Sequence, residues 1–408
     1  MPALPWLDAA FVSQLFENGV CNTIAEARDW ICASYPEQAE FTTRTLQRFM
    51  QEHNIKIVQH LSQEELEREV RTATEEIGGA PGRKTMQGVI SSQRRISAAQ
   101  STVAGSYLEN RRQGVQRQLN PQSYFASHFG ENLHLDQNEK GVEYGVVFVI
   151  AVDGKSAFVC RGAVMPRKNN ITIYEKIYQS AVEEFGMWEQ IIADCGREFF
   201  LCEFIQEYLK DFRIKRDGSI CRRPSFKQLT SCKNNRVERL WQEVNAQVGL
   251  PIKWAFIEME NNHTLDRHNL THLFATSFVG CSVARVLLQR WMDGWNNHTI
   301  TGKGIPSQYT QLRGNYLLPA GVLPSAAHAA EIYRGSNGQL TDESTFGQDP
   351  LEGQPEKQNR RDQIFQNEID AKLGGFNYIA SYTVNHSYQP IQEAVTLYIQ
   401  LGVSLLSS

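Results

Sequence analysis

Leu133-His134-Leu135-Asp136-Gln137 opens the part of the chain whose pattern decides the fold. Strand alternation puts Leu133 and Leu135 on one face, and His134 and Asp136 on the other. An apolar run over 145–152, the turn Asp153-Gly154-Lys155-Ser156 and a further apolar run over 157–163 follow. Three consecutive strands are therefore predicted, at 132–137, 145–152 and 157–163, with a hairpin signal of the Asp-Gly kind at the second junction. A carboxylate inside the first strand of a sheet is expensive to bury unless a cation or hydrogen-bond donors satisfy it. Asp136 is thus the first candidate for chemistry.

Working towards the C-terminus, the pattern predicts a helix over 171–185, a short buried strand over 189–193 and a helix over 198–210. A Lys/Arg/Gly-rich excursion over 211–223 and a long helix from about 233 to 247 come next. Antiparallel strands followed by alternating helices and strands indicate an α/β fold, a mixed sheet with helices on both faces. Asp194 ends the run Gln190-Ile191-Ile192-Ala193, and open α/β sheets place their ligands at such carboxyl ends. An N-cap for the following helix is the equal and plainer reading of Asp194. Glu238 lies beside the apolar stripe of Val237, Leu240, Trp241, Val244 and Val248, where it is either turned towards the sheet or a surface glutamate.

Towards the N-terminus, helices are predicted over 8–17, 22–34 and 42–53, the third with a Thr N-cap and with Arg44 and Arg48 on its outer face. This resembles a helix-turn-helix whose last helix enters a major groove, and a plain three-helix bundle fits equally well. A second helical set covers 62–76, 85–93 and 97–110. It opens on a Ser62-Gln63-Glu64-Glu65 capping box, and 97–108 is a candidate recognition helix. The Gly-rich segment at 78–85 fails the phosphate-loop pattern, because its order is Gly-Arg-Lys-Thr and no strand precedes it. After Asn269 the chain reads as helical to Trp295; Trp291, Trp295 and His298 are expected to pack the end of the core. Residues 334–361 read as a loop or linker that makes little core, and 389–406 as a terminal helix. The divisions expected are 1–60, 61–120, 121–300 and 301–408.

Length suggests about two or three domains. The overall charge of −4 would argue against nucleic acid if it were evenly spread, but residues 83–120 hold seven basic residues against the single acid Glu109. Arg94, Arg95, Arg111, Arg112 and Arg117 in that segment, with Arg44, Arg48, Lys233 and Arg236, are the candidate DNA contacts. The eight cysteines form no Cys-x-x-Cys pair, so neither a zinc ribbon nor a disulfide framework is expected. No run approaches the roughly 18 to 20 uninterrupted apolar residues of a membrane span. The N-terminus lacks a secretory pattern, so a cytosolic or nuclear site is expected. His263, His268 and His272 include an i, i+4 pair, but no His-Glu-x-x-His motif and no third zinc ligand accompany it.

The ordered motifs Leu133-His-Leu-Asp136, Val152-Asp-Gly-Lys-Ser156, Ile192-Ala-Asp194-Cys-Gly-Arg-Glu198, Asn234-Asn-Arg-Val-Glu238-Arg-Leu-Trp241 and Trp295-Asn-Asn-His298 resemble the integrase-core-domain proteins of eukaryotes. These are relatives of retroviral integrases and DDE transposases, and the resemblance covers roughly Leu61 to Arg313. It implies an RNase H-like core with a five-stranded mixed sheet, preceded by all-α helix-turn-helix units. It further implies two Mg²⁺ or Mn²⁺ ions held by Asp136, Asp194 and Glu238, which are then both catalytic and metal-binding, and a DNA partner in the nucleus. A homo-oligomer, with no membrane and no small-molecule cofactor, belongs to the same expectation. The activity implied is DNA strand cleavage and strand transfer. The alternatives are a domesticated DNA-binding or scaffold protein without catalysis and an RNase H-like nuclease. The chain departs from the retroviral pattern in its longer gap between the second and third acids and in lacking the His-His-Cys-Cys zinc domain.

Overall fold

The computed structural model describes residues 4–17, 20–21, 23–38, 41–55, 62–77, 85–86, 88–90, 124–214, 218–229, 234–311, 316–341 and 343–407. Five strands make one sheet: β1 (Asn132–Gly141), β2 (Val146–Asp153), β3 (Val159–Met165), β4 (Gln190–Ala193) and β5 (Phe226–Gln228), in the order β3-β2-β1-β4-β5. The first three pair antiparallel, while β4 and β5 join in parallel on the other side of β1. This is the RNase H-like sheet, with β1 at its centre. The expectation of three antiparallel strands holds within a few residues. The fifth strand lies beyond the basic excursion, where three exposed residues leave no periodicity to read.

β2 is buried along its whole length, which explains its unbroken apolar run. Phe148, Ile150 and Val152 face one core, and Val147, Val149 and Ala151 the other. The second core is closed by α5 (170–185), whose middle is a π-helical stretch at Tyr174–Gln179, and by α6 (Phe200–Tyr208). The first is closed by α7 (Asn235–Val244), α8 (Leu250–Asn261) and α9 (Leu270–Asn297), a π turn at Asn245–Gly249 joining α7 to α8. By length and composition α9 would pass for a membrane-crossing helix. Its buried face lies instead between the sheet and the C-terminal helices. At Gly280 it comes so close that a Cβ would meet the Val146 side chain at 2.9 Å.

Four more helices follow: α10 (Ala326–Gly335), α11 (Pro355–Leu373), α12 (Gly375–Val384) and α13 (Gln389–Leu406). Phe365, Ile369, Ile379, Ile391 and Tyr398 belong to the same core as α9. The expectation of a linker over 334–361 therefore needs correction. Leu351 is fully buried, α11 begins at Pro355, and Arg361 is only 2% exposed. The Arg361 guanidinium bonds Asp349 at 2.5 Å and Asp362 at 2.9 Å, and lies 4.6 Å above the Tyr398 ring. A run that reads as solvated because it is charged thus holds a neutralised, stacked cation. The irregular stretch before α11 is tied back to α5, since the Thr341 N–H donates to Asn170 Oδ1 at 2.7 Å and the Asn170 N–H donates to the Thr341 carbonyl at 3.0 Å.

The N-terminal helices α1 (Ala9–Glu17), α2 (Ile24–Ser34) and α3 (Thr43–Glu52), which precede α4 (Gln63–Ile77), share a small core of Val12, Leu15, Phe16, Ala27, Ile31, Leu46, Phe49 and Met50. Thr23 and Thr42 cap the second and third. The capping box forms as read: the Ser62 N–H donates to Glu65 Oε2 at 2.9 Å, and the Glu65 N–H returns to Ser62 Oγ at 3.4 Å. Of the helix expected over 85–93, residues 85–86 and 88–90 are helical. The candidate recognition helix over 97–108 lies outside the described residues.

Breaking a buried ion pair by removing one partner strands the other charge. Arg361→Ala should therefore cost about 3–5 kcal/mol, read as a lower midpoint in denaturant unfolding. The double replacement Arg361→Met with Asp349→Leu should recover most of the loss; an unchanged midpoint in the single variant would refute the packing role of this pair.

Candidate functional site

Parallel pairing of β4 on β1 sets His134 opposite Ile192, so the next position on the same face puts Asp136 level with Asp194. Asp136 is 4% exposed. Its Oδ2 accepts the Trp241 indole N–H at 2.9 Å and its Oδ1 the Gln137 N–H at 2.9 Å. Burial, with the charges of Glu238 and Asp194 behind it, pushes the Asp136 pKa up to about 7 against these two bonds. Asp194 is half-buried, and its Oδ1 accepts the Gly196 N–H at 3.0 Å. The short helical turn after it, Arg197–Phe199, has no side-chain cap, so the N-cap reading of Asp194 fails.

Glu238 reaches the site because α7 is fastened to β1. Asn234, fully buried just before α7, donates from Nδ2 to the Leu135 carbonyl at 3.1 Å and accepts at Oδ1 from His134 Nδ1 at 2.7 Å. His134 Nε2 then accepts the Tyr124 hydroxyl at 2.8 Å, and the Tyr124 oxygen accepts Asn132 Nδ2 at 2.8 Å. Burial holds the His134 pKa down at about 4, helped by Arg236 and Lys303, so the ring is neutral with one tautomer selected. With α7 held this way, Asp136, Asp194 and Glu238 line one cleft of about 520 Å³ together with Gln137, Asn138, Glu139, Trp241, Gln242 and Asn245.

The donor chemistry of this cleft suits a hard cation. Besides the three carboxylates, the buried amide oxygens of Gln137 and Asn245 have no hydrogen-bond partner. Among the described residues, however, no three His, Cys, Asp or Glu side chains stand close enough together to hold an ion as they are placed. His263, His268 and His272 form no such group either; His272 Nδ1 accepts the Asp266 N–H instead, a local capping role. Trp291 and Trp295 stack at the end of α9, the Trp295 N–H donating to the Ala157 carbonyl at 2.8 Å.

Two further acids adjoin Asp194 that the sequence does not single out. Glu198 and Glu203 are each 5% exposed, and Glu203 Oε1 has no hydrogen-bond partner. Burial, with Asp194 adding to it, pushes the Glu203 pKa up to about 7 although Gln228 donates to it at 3.0 Å. A Cβ on Gly196 would meet Glu198 Oε1 at 2.5 Å and Asp194 Oδ1 at 2.8 Å, so both carboxylates crowd this glycine. Lys168 lies 2.9 Å from Glu139 and 3.4 Å from Glu198. These contacts join residues far apart in the chain, and only Asp194-Cys-Gly196, an acid followed by a glycine, marks the place in sequence.

Of the candidate DNA contacts, Arg44 and Arg48 are exposed on the third N-terminal helix, and Arg236 is half-buried over the Tyr124 ring. Arg94, Arg95, Arg111, Arg112, Arg117 and Lys233 lie outside the described residues.

The sheet is RNase H-like, its central strand and the neighbouring strand end bring two aspartates level, and a third acid stands on the helix across them. Residues 127–312 match the family model of the integrase core domain. The matched segment starts well after Leu61, so the helical regions before it stand outside the match. No curated protein matches the chain.

The raised Asp136 pKa has a sign that can be tested. Its folded value lies above the unfolded one, so the protein loses stability as pH rises from about 4 to about 7 and Asp136 ionises in its buried place. Without divalent ions at pH 8, Asp136→Asn should stabilise by about 1–3 kcal/mol, allowing for one lost hydrogen bond; at pH 5 the advantage should vanish. Mg²⁺ or Mn²⁺ should raise the melting temperature of the wild type at pH 8 and leave that of Asp136→Asn nearly unchanged. Equal shifts in the two would remove Asp136 from any cation site.

Proposed function

We propose that this protein is a DDE-type polynucleotidyl transferase that cleaves and joins DNA strands in the nucleus, with Asp136, Asp194 and Glu238 as the carboxylates of its Mg²⁺ or Mn²⁺ site. The observation that carries the reading is the register of β4 on β1, which sets Asp194 beside Asp136 while α7 brings Glu238 to the same cleft. Asp136, Asp194 and Glu238 would hold the divalent ions, which would supply activation of the attacking oxygen and charge stabilisation of the leaving one in displacement at phosphorus. The chain's own part is to orient the donors. Trp241 and the Gln137 N–H fix the Asp136 carboxylate, and the Gly196 N–H fixes that of Asp194. The attacking oxygen is that of water for cleavage and a DNA 3′-hydroxyl for joining.

One observation favours a different reading, a DNA-binding protein that keeps the fold without the chemistry: the acids are not drawn into an ion-ready group. Incubating the purified chain with supercoiled plasmid, a labelled DNA duplex and Mg²⁺ or Mn²⁺ separates the two. The wild type should nick the plasmid and join the label to it. Asp194→Asn and Glu238→Gln should each lose these activities by about 10²–10³-fold or more. Equal activity in the variants would assign it to another site. A wild type that binds DNA yet leaves it intact supports the non-catalytic reading, and nicking without joining supports a hydrolytic nuclease.

A further inference from the structure

Beside the acidic cleft, on the far side of His134, four cations converge. Lys155 stands in the turn between β2 and β3, Arg236 and Arg239 on α7, and Lys303 in the loop after α9. The Lys303 ammonium donates to the Lys155 carbonyl at 3.3 Å. Arg236 lies 4.8 Å over the Tyr124 ring, and Lys155 lies 5.4 Å over that of Phe125. Among the described residues none of the four forms an ion pair with an acid, and the buried Nε of Arg236 has no hydrogen-bond partner.

These charges act on one another. Burial brings the Lys303 pKa down to about 8, and Arg236, Lys155 and Arg239 push the same way. The carboxylate that opposes them is Asp153, which is wholly buried and already engaged. Its two oxygens accept from the N–H groups of Lys155, Ser156 and Gly130, from the Ser156 hydroxyl and from the Trp188 indole. Like charges held together without a counterion cost repulsion and desolvation. A bound anion removes both penalties.

We propose that Lys155, Arg236, Arg239 and Lys303 form a binding site for the phosphodiester backbone of DNA, separate from the carboxylates and adjoining them. Two features favour a phosphate on a long strand over a free anion. The site is spread over three elements at the surface. Arg236 and Arg239 also stand on either side of Glu238 in the sequence of α7. A backbone held here lies against the helix that also carries Glu238. The choice of DNA rests on the integrase reading; the anion site itself does not.

The test measures binding of a labelled duplex by fluorescence anisotropy in EDTA, where no metal-dependent turnover occurs, across a range of salt. Arg239 is exposed and Lys303 half-buried, so the double variant Arg239→Gln/Lys303→Gln should fold, as its thermal unfolding will show. It should lose about five- to twentyfold in affinity at moderate salt, and its salt slope should fall by roughly one to two. Arg239→Lys/Lys303→Arg should retain the affinity. Lys357→Gln/Arg360→Gln on α11 removes the same charge elsewhere and should stay within about twofold. Wild-type affinity and slope in the first double variant would overturn the proposal, as would an equal loss in the α11 control or a wild type that does not bind DNA. Failure of the catalytic reading looks different, with intact binding and salt response but no nicking or joining.

Discussion

The central strand carries a carboxylate where a sheet ordinarily carries apolar side chains, and the surroundings of Asp136 are built to tolerate it. Its oxygens are met by an indole and a backbone N–H, and two more acids stand nearby. In the absence of a cation this is a costly arrangement, since burying an ionised group without a countercharge opposes folding. The two thick apolar layers on either side of the sheet supply the stability that such a site spends. That α9 and the three last helices share one core with α7 and α8 has a clear physical sense here: the face that bears the acids is the one with the larger layer behind it.

Much of the fold was legible. β2 is read from its apolar run, β1 from its alternation, and Asp194 from an apolar run that stops in an acid and a glycine. Glu238 is different, because a glutamate beside an apolar stripe is ambiguous until the helix is fastened, and Asn234, which fastens it, looks in sequence like any asparagine before a helix. β5 is three exposed residues and has no pattern to find. Glu198, Glu203 and Lys303 owe their surroundings to residues on other elements, information that spacing along the chain does not hold.

The stretch around Arg361 shows the opposite error, in which a strong pattern misleads. Charge density from 334 to 361 reads as solvated chain, yet the deciding quantity is whether each charge finds a partner and a surface for its flat face. Likewise α9 is apolar along most of its length because its buried face is covered by sheet on one side and helices on the other, while Arg285 and Gln289 stay exposed.

The chain of hydrogen bonds from Asn132 through Tyr124, His134 and Asn234 to Leu135 runs in one direction, each member donating to the next. Tyr124 opens the described stretch that leads into β1. Because the chain has one polarity, it behaves as a latch: drawing Tyr124 away leaves His134 Nε2 without its donor and weakens the histidine's hold on Asn234. The side chain of Tyr124 is thereby tied to the base of α7, the helix that carries Glu238.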